Sequence, residues 1–189
     1  MANAIKMMLS KPQEEYDPTR SRFFGDPAIP KWMAEEIEED EVFLAQIRLS
    51  DIAALDTENI LPHEGWLYFF IKAEDGSAWT PKQAVVRYSK DAPEVVLVDF
   101  NAESTIPDKM NETWLVAFET AEEDDDSGMK LLGVPFDWNY ADPAPQLLLQ
   151  YDPLHSPSSF LEEMDGVAYF FAGKDMEKFS DAVWHAEYS

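Results

Sequence analysis

The sequence predicts an α+β fold made mainly of antiparallel sheet, with two pseudo-repeated halves and few short helices. Three observations support this fold class. Short runs of β-branched and aromatic residues alternate with Gly, Pro, Asp or Asn, which is the pattern of strands joined by turns. Thirteen prolines spread over 189 residues interrupt any long helix. Three sequence blocks occur twice along the chain, in the same order.

The strand predictions rest on apolar runs of five or six residues. These lengths are typical of strands in small domains. Apart from the run FLAQI (43–47), which belongs to the repeat described below, the runs are WLYFFI (66–71), AVVRY (84–88), VVLVDF (95–100), WLVAF (114–118), LLLQY (147–151) and VAYFF (167–171).

Only two short helices are predicted. Ser50 can cap a single turn that runs as far as Leu55. Met176, Phe179 and Val183 have the spacing of one face of an amphipathic helix near the end of the chain. Neither segment is long enough to dominate the fold.

The repeat consists of a Gly-x-Pro turn, an apolar strand whose fourth residue is Gln, and an aromatic strand that begins with Gly. The first copy is FGDPAIP (24–30), FLAQI (43–47) and GWLYFFI (65–71), and the second is LGVPF (132–136), LLLQY (147–151) and GVAYFF (166–171). Recurrence of three blocks in order indicates an internal duplication.

The duplication predicts the domain organisation. Residues 1–23 are predicted to be an N-terminal extension, and 24–189 a single domain. Its two halves cover about 24–118 and 131–189. An acidic loop, which includes EEDDDSG (122–128), joins them, because Asp, Ser and Gly all favour turns.

Gln46 and Gln150 are the candidate structural or cleft residues. A buried primary amide must pair two donors and one acceptor, since leaving them unpaired costs free energy. Each Gln recurs together with a turn and an aromatic strand, so we expect it to bind backbone groups and tie the turn of its own half to the sheet. The alternative is that both amides point into a cleft between the halves and bind a ligand.

The order of G-x-P-x-x-P, FLAQI, LP-x-x-GWLYFF, LG-x-P, QLLLQYD and GVAYFF resembles the YwqG-like family, a bacterial family of unknown function. The resemblance extends from about Phe24 to Phe179. It implies an α+β fold dominated by antiparallel sheet and built from two related halves. It implies no established activity, cofactor or catalytic residue.

The charge of the chain limits its partners. It has 38 acidic and 14 basic side chains, a formal net charge of −24. Such a field repels phosphate backbones and anionic lipid surfaces, so we expect neither nucleic-acid nor membrane binding. It attracts basic proteins, although acidity can also serve solubility alone or reflect adaptation to salt. The chain has no Cys and begins without a secretory pattern, so we expect a cytoplasmic protein.

The common catalytic and metal motifs are missing from the sequence. It contains neither G-x-G-x-x-G nor the hydrolase motif G-x-S-x-G. The three His residues lack zinc-protease spacing, and a calcium loop opening at Glu123 would have Val134 where a bidentate Glu is required. We therefore expect no cofactor, no metal and no catalytic residue.

These observations predict an uncharacterised, soluble, non-enzymatic binding protein, for example an acidic inhibitor or immunity-type protein for a basic partner. The acidic residues expected to face that partner are Glu38, Glu39, Asp124, Asp125 and Asp126. The alternative is an enzyme or small-ligand module with its site in the cleft between the halves. The sequence makes no prediction of the oligomeric state.

Overall fold

The computed structural model describes residues 3–72, 83–101, 108–138, 143–157, 166–174 and 179–188. These residues form strands and short turns. The strands are β1 (Ile5–Ser10), β2 (Arg22–Phe23), β3 (Ala28–Ile29), β4 (Glu41–Arg48), β5 (Trp66–Lys72), β6 (Gln83–Ser89), β7 (Val95–Val96), β8 (Trp114–Thr120), β9 (Lys130–Leu131), β10 (Leu147–Tyr151), β11 (Gly166–Phe171) and β12 (Val183–Tyr188).

Ten of these strands form one antiparallel sheet in the order β12-β11-β10-β9-β1-β8-β2-β4-β5-β6. The two end strands, β12 and β6, come into contact, so that the sheet nearly closes into a barrel. The remaining strands, β3 and β7, pair with each other as a small second sheet. Near closure protects the edges of the sheet from pairing with other chains.

The strand order is symmetric about the central pair β1–β8. On either side, a strand of two residues comes first, then the strand that contains Gln46 or Gln150, then the aromatic strand and an end strand. β1, which comes from the predicted N-terminal extension, lies next to the two-residue strand β9, just as β8 lies next to the two-residue strand β2. This symmetry is what a duplication would produce, although the duplication itself stays a prediction.

The expectation of an α+β fold is wrong, because the structure is nearly all antiparallel sheet. Within the described residues every helix is a single 3₁₀ turn, and none is long enough to cross a bilayer. These turns are Met33–Glu35, Leu49–Asp51, Asp108–Asn111 and Pro153–His155.

The predicted C-terminal helix illustrates why the prediction of an α+β fold is wrong. Met176 lies outside the described residues, but Phe179 has a positive φ of 56° and Val183 begins β12. β12 pairs with β11 along its whole length, from Val183 opposite Phe171 to Tyr188 opposite Gly166. Pairing within the sheet therefore decides the conformation of this segment, and the helical spacing of its apolar residues does not.

The strand predictions are confirmed, except that VVLVDF (95–100) forms only the two residues of β7. The runs look continuously apolar because both faces of the sheet are covered. In β5, Leu67, Phe69 and Ile71 point into the main core, whereas Tyr68 and Phe70 point to the opposite face and pack in a second cluster. A third cluster covers the corresponding face of β11.

Candidate functional site

Gln46 has no exposed surface and lies on the face of the sheet opposite the main core. Its Oε1 accepts a hydrogen bond from the backbone N–H of Ala28 (3.0 Å). Its Nε2 donates to the carbonyl oxygens of Pro18 (3.0 Å) and Arg20 (2.9 Å). One side chain thus joins the segment before β2, the Gly-x-Pro turn after it, and β4.

Gln150 makes the matching set of bonds in the other half of the strand order, and it is equally buried. Its Oε1 accepts from the N–H of Phe136 (2.8 Å). Its Nε2 donates to the carbonyl oxygens of Asp126 (3.3 Å) and Gly128 (2.8 Å). Each of these three partners lies 108 positions after its counterpart among the partners of Gln46. These are contacts of the kind that the structural interpretation of the two amides expects.

A buried cation lies next to each amide. Arg22 is opposite Gln46 in the register of β2 and β4, and Lys130 is opposite Gln150 in the register of β9 and β10. Each has only 1% of its surface exposed. Arg22 donates to the carbonyl oxygen of Asp26, and Lys130 donates to that of Val134 (2.7 Å), so each cation binds the Gly-x-Pro turn that follows it.

Lys130 satisfies all three of its donors with backbone oxygens. Besides Val134, its ammonium binds the carbonyl oxygens of Asp124 (2.9 Å) and Asp126 (2.7 Å). Burial lowers the pKa of Lys130 to about 8, and the negative charges of Asp125, Asp126 and Asp124 oppose that shift. The acidic loop is therefore folded around a buried lysine.

The turns approach the rest of the chain so closely that they require glycine. Gly25 and Gly133 have φ values of +68° and +74°, which strain any side chain. A Cβ at Gly25 would lie 2.1 Å from the Thr113 hydroxyl oxygen, and one at Gly133 would lie 2.6 Å from the Ala4 side chain. Each turn is thus packed against the segment that precedes β8 or β1.

The predicted partner-facing carboxylates do not all lie free on the surface. Glu38 is exposed and pairs with Lys72 (2.8 Å), whose ammonium lowers the pKa of that carboxyl. Glu39 and Asp125 are exposed. Asp124 and Asp126 are partly buried and accept hydrogen bonds within the chain, Asp124 from the N–H groups of Asn3 and Ala4, and Asp126 from those of Glu122 and Glu123.

An open groove of about 640 Å³ lies between β1 and the segment that follows β8. Its lining combines carboxylates with apolar side chains and backbone. The lining residues are Lys6, Met7, Met8, Leu9, Glu119, Thr120, Glu122, Asp126, Ser127, Gly128, Met129 and His155. Of the predicted acidic residues it contains Asp126, whereas Glu38 and Glu39 are not in its lining.

His155 lies at the groove and is held by a buried carboxylate. Its Nδ1 is 2.8 Å from Asp152 Oδ2, which also accepts from the N–H of Gly128 (3.0 Å). The other oxygen of Asp152 caps the Pro153–His155 turn by accepting from the N–H of Leu154 (3.0 Å). Asp152 thus orients the imidazole, while 56% of the His155 side chain remains exposed.

Sequence reasoning missed the two buried cations, although a signal for them exists. The repeated block begins earlier than the Gly-x-Pro turn, since RFFGDP (22–27) and KLLGVP (130–135) share a cation followed by two apolar residues, Gly, any residue and Pro. A cation at the same place in both copies indicates a common structural role. The groove could not be found in this way, because it is formed by segments more than 100 residues apart.

Comparison with family models gives a match over residues 21–185 to a family described as a domain of unknown function, DUF1963. Comparison with curated proteins gives no match. The resemblance to a family of unknown function is therefore shown, while the name YwqG-like stays a prediction. Because the match covers most of the chain and includes both buried amides, the protein belongs to the DUF1963 family of domains of unknown function.

Proposed function

We propose that the protein is a non-enzymatic binding protein whose acidic surface receives a basic segment of another protein in the groove beside β1. Two observations together carry this proposal. The groove is open and has carboxylates in its lining, and many basic side chains of the protein already bind groups of the chain itself. Such a field speeds encounter with basic partners and selects them.

At least eight of the 14 basic side chains form hydrogen bonds or ion pairs with other groups of the chain. Arg22 and Lys130 are buried beneath the two turns. Six more form ion pairs, which are Lys6–Glu119, Lys11–Glu112, Arg48–Asp51, Lys72–Glu38, Arg87–Glu41 and Lys90–Glu64. With 38 carboxylates in the chain, these pairs leave most of the negative charge unopposed.

The groove offers backbone groups as well as charge. The ladder between β1 and β9 ends where the N–H of Met7 donates to the carbonyl oxygen of Met129 (2.9 Å). Alternate residues of an antiparallel strand direct their N–H and C=O to the same neighbour, so those of Leu9 point to the groove side, like those of Met7. An extended peptide can add there as a strand, with a basic side chain near Glu122, since Glu119 already pairs with Lys6 (3.3 Å).

The test measures binding of an oligolysine peptide by calorimetry, with Glu122→Lys as the groove variant and Glu58→Lys as its control. Both residues are exposed and both changes alter the net charge equally, but Glu58 is outside the groove lining. We expect Glu122→Lys to weaken binding about 3- to 10-fold, since a reversed rim charge changes affinity by about 1 kcal/mol. Equal weakening by both variants, or no binding by the wild type at low salt, would contradict the proposal.

One observation supports the alternative of an enzyme or small-ligand module: the oriented, half-exposed imidazole of His155 at the same groove. A histidine held by a carboxylate is suited to proton transfer. This alternative predicts that small molecules which raise the Tm of the wild type lose their effect on a His155→Ala variant. The binding-protein proposal predicts that His155→Ala leaves the affinity for oligolysine within about twofold of the wild type.

A further inference from the structure

Two buried donors beneath the first turn have no acceptor among the residues that the structure describes. Arg22 Nε and the Tyr68 hydroxyl make no hydrogen bond within the part of the chain that the structure describes. Arg22 has 1% of its surface exposed and Tyr68 has none. Burial raises the pKa of Tyr68, so its hydroxyl stays protonated and remains a donor. An unpaired buried donor is costly, and two in one place indicate an acceptor that is not part of the chain.

The two donors belong to one row across the sheet. Arg22 is opposite Gln46, and Gln46 is opposite Tyr68, so Arg22 and Tyr68 flank the buried amide on the same face. The Gln46 amide already has its partners: its Nε2 donates to Pro18 and Arg20, and its Oε1 accepts from the N–H of Ala28 and from Arg22 Nη2 (3.4 Å). The free donors of Arg22 and Tyr68 therefore cannot be satisfied by the amide between them.

The other half of the strand order contains the matching row of Lys130, Gln150 and Tyr169, in which the corresponding donors all have acceptors. Tyr169 is opposite Gln150, as Tyr68 is opposite Gln46, and its hydroxyl donates to the carbonyl oxygen of Phe136 (2.8 Å). Lys130, in the place of Arg22, binds three carbonyl oxygens. Of these two rows, the row of Gln46 is therefore the one that retains donors without an acceptor among the described residues.

The charge at this place is only partly compensated. The Asp26 carboxylate raises the pKa of Arg22, but among the described residues no carboxylate forms an ion pair with the guanidinium. The hydrogen-bond acceptors of the Arg22 guanidinium are neutral: the carbonyl oxygen of Asp26, the Gln46 amide oxygen and the Tyr16 hydroxyl. Three carboxylates of the acidic loop, those of Asp125, Asp126 and Asp124, raise the pKa of Lys130 in the same way, so its charge is better compensated. A buried cation without a directly paired counter-ion is expensive, and a bound anion removes much of that cost. A water molecule would satisfy the donors but not the charge.

We propose that Arg22 and Tyr68 form an internal site for a small monovalent anion, chloride being the physiological ion of that kind. The anion accepts hydrogen bonds from Arg22 Nε and the Tyr68 hydroxyl and neutralises the guanidinium. Because both donor atoms are shielded from solvent, the site selects ions of about the size of a water molecule over larger or doubly charged ones. The bound ion stabilises the turn that contains Gly25, which Arg22 holds through Asp26.

Thermal unfolding in sodium chloride and in sodium gluconate at equal ionic strength tests this site, since both salts screen the net charge but gluconate is too large to enter. We expect chloride to raise the Tm of the wild type about 2–4 °C above the value in gluconate. The rise should be lost in Tyr68→Phe, which removes a free donor, and kept in Tyr169→Phe, which removes the matching hydroxyl of the satisfied row. An equal response of Tyr68→Phe and wild type would overturn the proposal.

Crystals grown in sodium bromide give an independent measurement, because bromide replaces chloride and is located by its anomalous scattering. The expected result is a bromide peak within hydrogen-bond reach of Arg22 Nε and the Tyr68 hydroxyl, and no peak in the row of Gln150. A water molecule at this place in bromide-grown crystals, or ordered side chains with nothing between them, would overturn the proposal even if the Tm rises in chloride.

Discussion

Replacing either buried amide by leucine should destabilise the protein by an amount that follows from its bonds. In Gln46→Leu, the N–H of Ala28 and the carbonyl oxygens of Pro18 and Arg20 lose their partner. Each stranded buried group costs about 1–3 kcal/mol, and relaxation with water entry keeps the cost near the lower end. Three groups at about 1 kcal/mol each give a loss of about 3 kcal/mol. Gln150→Leu strands the same three kinds of group and should cost a similar amount.

The assay is urea unfolding monitored by tryptophan fluorescence, with Gln146→Leu as the control. Gln146 is only partly buried, and its amide donates to the carbonyl oxygen of the adjacent Leu147 (3.0 Å). We expect the control to lose less than about 1 kcal/mol, with equal m-values showing that the unfolding reaction is unchanged. If Gln46→Leu and Gln150→Leu are no more destabilised than Gln146→Leu, the reasoning about the buried amides is wrong.

Three further predictions follow from the same contacts. Asp124→Ala should cost about 1–2 kcal/mol in urea unfolding, because Asp124 accepts two N–H groups near the N-terminus, whereas Asp125→Ala should change stability by less than about 0.5 kcal/mol; equal losses would contradict this assignment. Gly25→Ala should lower stability by more than about 2 kcal/mol because of its positive φ and its contact with Thr113, and a wild-type Tm would refute that. The folded-state pKa of Lys130, about 8, lies below its ordinary value, so the native state loses a proton first as pH rises; the unfolding free energy of the wild type relative to Lys130→Met should therefore increase from pH 8 towards 10.5, and a constant difference would contradict it.

The strands and the two amides could be predicted because their signals are local. A run such as WLYFFI is too short for a helix and too apolar for a loop, and it forms β5. Gln46 and Gln150 could be interpreted because a buried amide needs partners whatever the fold, and the repeated turn supplied them. The same reasoning fails where pairing partners decide the structure, as in β12, whose conformation depends on β11.

The role of the acidic loop could not be predicted for a different reason. A run of Asp residues predicts that each carboxylate is exposed to solvent, and Asp125 is indeed exposed. Asp124 instead binds Asn3 and Ala4, about 120 positions away, and Lys130 draws the loop backbone around its ammonium. Such contacts depend on which segments the sheet brings together, and local sequence patterns do not predict the strand order.

The most direct test of the proposed function is an NMR titration of the isotope-labelled protein with oligolysine. The groove beside β1 is the proposed binding site of a basic segment. The amide signals of Leu9, Glu119 and Gly128, which line the groove, should therefore shift most, and their shifts should reach a plateau as oligolysine is added. Those of Glu39 and Glu58, which are exposed but outside the groove, should shift little. Shifts spread evenly over the acidic surface, or absent from the groove, would contradict the account.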